Sequence, residues 1–310
     1  DGLFVPHCNF GTEYEVCRLA KKLNVPVLLW GPRDECPDEN GMRLRDSQCG
    51  LFATGKVLRR FGIPFTYLKN CNLEDECFAE GIDRFLRVCN VVKAFRNTRV
   101  LQISTRPFDF WSTMCNEGEL LEKFGIQLSP IPMPELTQAM KDVKENSPEE
   151  IKEVTDYCRE KMCIKVTPEQ LDNVAALKIA MTRLGKKYGC NCGAIQCWNA
   201  LQDEIGIMPC AANALCNDEG FPIACETDIH GTITSVLVEA AAMGETRSFF
   251  ADWTVRHPYN DNAELLQHCG PWPISIAKEK PTIDTPVAFD CSGSLMAQAK
   301  DGEHISLVRF

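Results

Sequence analysis

Three polar groups follow short apolar runs within a stretch of 43 residues: Phe221 to Cys225 leads into Glu226, Thr227 and Asp228, Ser248 to Ala251 into Asp252, and Glu264 to Gln267 into His268. Two carboxylates and an imidazole are a hard donor set suited to Mn²⁺, Mg²⁺ or Fe²⁺ with coordination positions left open. In α/β architectures the loops that build sites converge at strand ends, so groups far apart in the chain can meet there. A plainer reading stands beside this one. Glu226 or Asp228 caps a helix beginning near Ile229 or Thr232, and His268 is a turn residue ahead of Cys269 and Gly270.

Alternating apolar runs and helical periods should position these groups. Leu3 to Val5 reads as a strand, Thr12 to Leu23 as a helix and Val25 to Trp30 as a second strand; helical Ser47 to Phe61, strand-like Phe65 to Leu68 and helical Asp75 to Arg96 complete an α/β unit. Arg99 to Ile103 opens a second series. It continues with a helix near Glu117 to Phe124, a strand near Ile126 to Pro130, helices over Glu135 to Lys144 and Pro148 to Met162, and a long helix over Pro168 to Tyr188. Ser147-Pro148-Glu149-Glu150 has the composition of a helix start, with Ser147 as cap. Past Gly220 short apolar runs separated by Gly and Pro take over: Phe221 to Cys225, Arg247 to Phe250, Leu265 to Leu266, Trp272 to Ile276 and Ile305 to Phe310, with a helix over Ile233 to Met243. The expected fold class is α/β, with Rossmann-like domains and parallel sheets followed by the start of a more β-rich domain. The boundaries expected are 1–96, 97–240 and 241–310.

Composition narrows the function. The 310 residues carry 33 Lys and Arg against 43 Asp and Glu, a net charge of −10 that opposes binding to phosphate backbones. No nucleic-acid partner is expected. No run approaches the roughly 20 consecutive apolar residues of a membrane span, so no membrane partner is expected either. The chain has no GxGxxG after a strand, no GxxxxGK[ST], no GxSxG and no HExxH, which speaks against a nucleotide cofactor. Its 18 cysteines contain no CxxC pair, and scattered thiols of this kind are expected to act as small buried apolar residues in a reducing cytoplasm.

The segments ACETDIHG (Ala224 to Gly231), SFFADWTVR (Ser248 to Arg256) and LLQHCG (Leu265 to Gly270) resemble, in order and approximate spacing, the metal-binding series of the L-fucose and L-arabinose isomerase superfamily. The resemblance implies that Glu226, Asp252 and His268 hold a divalent metal, usually Mn²⁺. Ala251 stands where arabinose isomerases place a ligand Glu, which favours the fucose isomerase-like branch. VPHCNFGTE (Val5 to Glu13) is similar to a first-domain loop that reaches a neighbouring subunit's sugar site, with Cys8 replacing the family's tryptophan. The segment around Gln196 is similar to the one whose glutamine contacts the sugar.

What this implies is a metal-dependent aldose–ketose isomerase acting on a monosaccharide in a homo-oligomer, with the site completed by a neighbouring subunit. Family members are longer at both ends, so a fragment or a reduced fold is expected. The metal would stabilise an ene-diolate while Glu226 and Asp252 move protons between C1 and C2, and His268 would anchor the ion. Asp228 would orient a ligand if the strand continued past Glu226, and Trp253 would make apolar contact with the sugar. A sugar-binding or regulatory relative without turnover, and a metal-dependent aldolase or lyase, fit the same residues.

Overall fold

A computed structural model describes residues 1–285, 291–302 and 304–310. Residues 286–290 and 303, within the third expected domain, lie outside the described residues. The chain divides into two compact units, Asp1–Ala94 and Phe95–Phe310.

The first unit runs β1 (Leu3–Pro6), α1 (Glu13–Leu23), β2 (Val27–Trp30), α2 (Ser47–Arg60), β3 (Phe65–Tyr67) and α3 (Glu76–Arg96, ending just beyond the unit). Its strands pair in parallel in the order β1-β2-β3. The central strand, Val-Leu-Leu-Trp, is buried at all four positions, as a strand covered on both faces must be. Alternation divides it between two layers: Val27 and Leu29 pack with Cys17, Leu51 and Leu58 from α1 and α2, while Leu28 packs with Phe85 and Cys89 of α3. The loop after β1 is fixed by His7, whose buried Nε2 lies 2.9 Å from Thr54 Oγ1, and by Gly50, where an added Cβ would fall 1.8 Å from the Phe10 carbonyl oxygen.

The second unit continues with β4 (Arg99–Ile103), α4 (Glu117–Glu119), β5 (Gln127–Ile131), α5 (Met133–Asn146), α6 (Pro148–Lys161), β6 (Cys163–Ile164) and α7 (Pro168–Tyr188). There follow β7 (Cys192–Ile195), α8 (Ala200–Ile205), α9 (Cys210–Asp218), β8 (Ile223–Ala224), α10 (Ile229–Ala241), β9 (Asp252–Arg256), β10 (Glu264–Gln267), β11 (Thr282–Asp284) and β12 (Ser294–Met296). The main sheet is parallel, in the order β5-β4-β7-β8. Leu101, Ile103 and Ile195 face α5, α7 and α9; Val100, Cys192 and Ala194 face the opposite way, toward Ile229 and Ile233 of α10. The architecture is thus α/β with parallel, helix-covered sheets.

Helix α7 starts on a capping box, the Thr167 hydroxyl accepting from Gln170 N while the Gln170 side chain accepts from Thr167 N. Thr167→Ala is expected to cost about 1 kcal/mol, measured as a lower urea midpoint at unchanged slope.

Several apolar runs take other roles than strands. Ser248 to Ala251 is irregular, and its rings pack sideways, Phe249 on Trp272 and Phe250 on His268. Trp272 to Ile276 closes as a single 3₁₀ turn over Ile274–Ile276. Ile305 to Phe310 forms no strand; Phe310 docks edge-on to Phe95 and Phe124 and donates its N–H to Thr234 Oγ1. Burial against aromatic neighbours replaces a sheet partner in each case. Ser147 precedes α6 as expected, but its hydroxyl accepts from Arg183 and makes no cap hydrogen bond. Among the described residues no helix is long and apolar enough to cross a membrane.

Candidate active site

The order β5-β4-β7-β8 places β5 on one side of β4 and β7 on the other, so the chain reverses its lateral direction between β4 and β7. Diverging loops leave a crevice at the carboxyl ends of such a strand pair. Ser104 follows β4 and Gln196 follows β7. Gln196 N donates to Ile103 O at 3.1 Å, and the Ser104 hydroxyl donates to Gln196 Oε1 at 2.7 Å. Ser104 adopts φ +65°, a left-handed conformation rare for serine, which turns the chain out of the sheet at this point. Nothing in the sequence marked Ser104 beyond its place after an apolar run.

Glu226 enters from β8. The strand ends at Ala224, and Glu226 and Thr227 both take left-handed backbone angles, φ +52° and +50°. The turn is pinned from three sides: Thr227 N donates to Ile195 O, the Thr227 hydroxyl donates to Thr105 O, and Glu226 N donates to Cys197 Sγ. Because the strand does not continue, Asp228 does not share a strand face with Glu226. It caps α10, accepting from Gly231 N at 2.9 Å, and both its oxygens accept from Arg309. The capping role left open for it is the one observed.

Asp252 and His268 come together through a hairpin. Strands β9 and β10 are antiparallel, and Asp252 pairs with Gln267, the residue before His268. Asp252 therefore opens a strand instead of closing one. His268 is buried, with Phe250 edge-on at 5.2 Å, and its Nε2 lies 3.7 Å from Glu226 Oε2. Burial works against the charged imidazole, but hydrogen bonds with Cys269 and Glu226 outweigh it and raise His268 to about 10. Asp252 is exposed as a residue, yet enough protein crowds its carboxyl that desolvation raises its pKa; the His268 charge pulls it down, while Glu226 and Asp228 push it up. Trp253, the next residue along β9, points to the other face of the hairpin and is 65% exposed.

The expected metal ligands therefore divide. Glu226 and His268 meet across a 3.7 Å interval that a divalent cation can bridge, whereas Asp252 stands at the hairpin edge. Among the described residues, groups of three ligand-type side chains whose donor atoms all lie within 4.8 Å of one another are Cys197, Cys225 and Glu226, and, in the first unit, Cys71, Asp75 and Cys77. Glu226, Asp252 and His268 do not form a third. The other side of Glu226 is sulfur-rich, with Cys197 Sγ 3.3 Å from Oε1. Cys210 Sγ is 3.8 Å from Cys269 Sγ and hydrogen-bonds Cys225; these two thiols lower Cys210 to about 6, while Cys225 and Cys269 are raised. Cys8 is exposed on the first unit's Pro6–Gly11 loop. A cavity of about 580 Å³ opens elsewhere in the second unit, beside Tyr157, Asp218, Arg247 and Lys280, and contains none of these groups.

Residues 1–96 match the family model described as fucose/sulfoquinovose isomerase, N-terminal domain. The chain is 25% identical over 260 residues to a sulfoquinovose isomerase of Alkalicoccus urumqiensis, covering 83% of this chain and 57% of that protein. It is 25% identical over 261 residues to the sulfoquinovose isomerase of Priestia megaterium, covering 84% and 57%, and 24% identical over 279 residues to that of a Clostridium species, covering 89% and 61%. The chain thus spans less than two thirds of the length of these relatives.

Proposed function

Taking the chain as fucose isomerase-like, we propose that the protein it represents is a metal-dependent aldose–ketose isomerase working in the cytoplasm on a monosaccharide, with sulfoquinovose and fucose the first sugars to try. The observation that carries this reading is the buried Glu226–His268 pair, held at the strand-end crevice by a strained turn and facing Asp252 on the hairpin.

The donor set of one imidazole and nearby carboxylates fits Mn²⁺ or another divalent cation. Glu226 and His268 would hold it, with Asp252 contributing from the hairpin. When bound, the ion would polarise the two sugar oxygens and favour loss of the C–H proton beside the carbonyl. Glu226, set on a turn with left-handed backbone angles, would give one carboxylate oxygen to the ion and take a proton on the other. Asp252, whose raised pKa makes it a readier proton acceptor than a free carboxylate, is the second group able to move one. Gln196, whose Oε1 accepts from the Ser104 hydroxyl, would have its amide N–H groups left to orient a sugar hydroxyl. Cys8 would meet the sugar of a neighbouring subunit in a homo-oligomer.

A panel of sugars assayed with Mn²⁺ and with EDTA tests metal, reaction and substrate together. Ketose formation that EDTA abolishes and Mn²⁺ restores is expected. Sugar binding without conversion, unaffected by EDTA, would instead establish a binding protein. His268→Ala is expected to raise the Mn²⁺ concentration needed for half-maximal activity at least tenfold while saturating metal restores turnover; an unchanged metal requirement would remove His268 from the ion.

A further inference from the structure

Four cysteines distant in sequence close a ring with the Glu226–His268 pair. Cys197 follows β7, Cys210 begins α9, Cys225 follows β8 and Cys269 follows β10. Contacts run from Glu226 Oε1 to Cys197 at 3.3 Å, on to Cys225 and Cys210, then to Cys269 at 3.8 Å and to His268 Nδ1 at 3.9 Å. From the geometry of its inner edge we propose that Cys197, Cys225 and Glu226 form a Zn²⁺ site of two thiolates and one carboxylate, distinct from the space between Glu226 and His268.

Three features support it. The donor atoms Cys197 Sγ, Cys225 Sγ and a Glu226 oxygen all lie within 4.8 Å of one another, and tetrahedral Zn²⁺ with bonds of about 2.0–2.3 Å needs neighbouring ligand atoms roughly 3.3–3.8 Å apart. Each sulfur already accepts an N–H, Cys197 from the Glu226 backbone at 3.3 Å and Cys225 from Asn213 Nδ2 at 3.5 Å. Donors aimed at sulfur stabilise a coordinated thiolate and hold it in place. Asn213 is fully buried and spends its amide N–H on Cys225 while its Oδ1 has no partner, an arrangement suited to a sulfur without its proton. Binding releases one proton from each thiol.

The carboxylate of Glu226 is split between two environments, Oε1 toward the thiols and Oε2 toward His268. The binding claim does not depend on the isomerase reading. If both hold, zinc in the thiol site engages the carboxylate that the reaction needs, and zinc inhibits where manganese activates.

The test uses the purified, reduced protein and cobalt as the spectroscopic stand-in for zinc. Co²⁺ should produce a thiolate-to-metal charge-transfer band that stoichiometric Zn²⁺ removes and Mn²⁺ does not. Cys197→Ser and Cys225→Ser should each weaken Zn²⁺ binding at least tenfold and lose the band. Cys71→Ser with Cys77→Ser should keep both, which separates this site from the cluster of the first unit. Zinc-edge X-ray absorption on the protein carrying Cys71→Ser with Cys77→Ser should count two sulfur neighbours, and decides the matter even if a Cys197 or Cys225 variant fails to fold. A sulfur-free zinc environment, no thiolate band, or a band lost only in the Cys71/Cys77 variant would overturn the proposal. None of these readouts requires turnover, so absent isomerase activity leaves the zinc result standing.

Discussion

Glu226→Gln is expected to lower kcat/KM for isomerisation by at least about a thousandfold, within the range that loss of an acid–base group produces. The amide keeps the shape of the carboxylate, so the turn made by Glu226 and Thr227 survives, and circular dichroism should be unchanged. Three functions disappear together: the negative charge opposite His268, an oxygen able to take a proton, and one anionic ligand for the ion. Raising the metal concentration should therefore not restore the rate, in contrast to the His268→Ala variant. Less than a tenfold loss with an intact fold would remove Glu226 from the reaction and with it the reading of the crevice as an isomerase site.

Gly270→Ala should be the most destabilising of the substitutions considered, by about 3 kcal/mol. A Cβ at this position would fall 2.4 Å from the Cβ of Cys210, 2.6 Å from its Cα and 2.9 Å from its Sγ. Two of those atoms belong to the base of a side chain and its backbone, so relief requires the start of α9 to move. The same movement would carry Cys210 away from Cys269 and Cys225. Urea unfolding measures the cost; a change below about 0.5 kcal/mol, typical of an unconstrained surface position, would show that α9 yields freely.

Parallel strands and long helices were legible because each carries its own period. Val25 to Trp30 reads as a strand and Pro168 to Tyr188 as a helix, and the structure has β2 at Val27–Trp30 and α7 at Pro168–Tyr188. Glu226 was legible as a residue beyond a strand, since its signal is local. The geometry of Asp252 was not. The apolar residues Phe249 and Phe250 read like a strand ending at Asp252, but they satisfy their burial on Trp272 and His268, and the strand begins where it was expected to end. Ser104 and the thiol ring were illegible for another reason. The four cysteines lie 13, 15 and 44 residues apart and share no spacing motif; only the meeting of β7, β8, α9 and β10 ends makes them neighbours.

The reversal of direction between β4 and β7 separates the crevice into parts with different evolutionary freedom. Gln196 and Ser104 are tied by main-chain bonds to the sheet and cannot drift without disturbing its pairing. Asp252 is carried by a two-stranded ribbon that contributes no strand to that sheet. Grafting a ribbon of different length or composition between Phe250 and His268 would therefore change where the Asp252 carboxylate stands while leaving the strand pairing of the main sheet untouched.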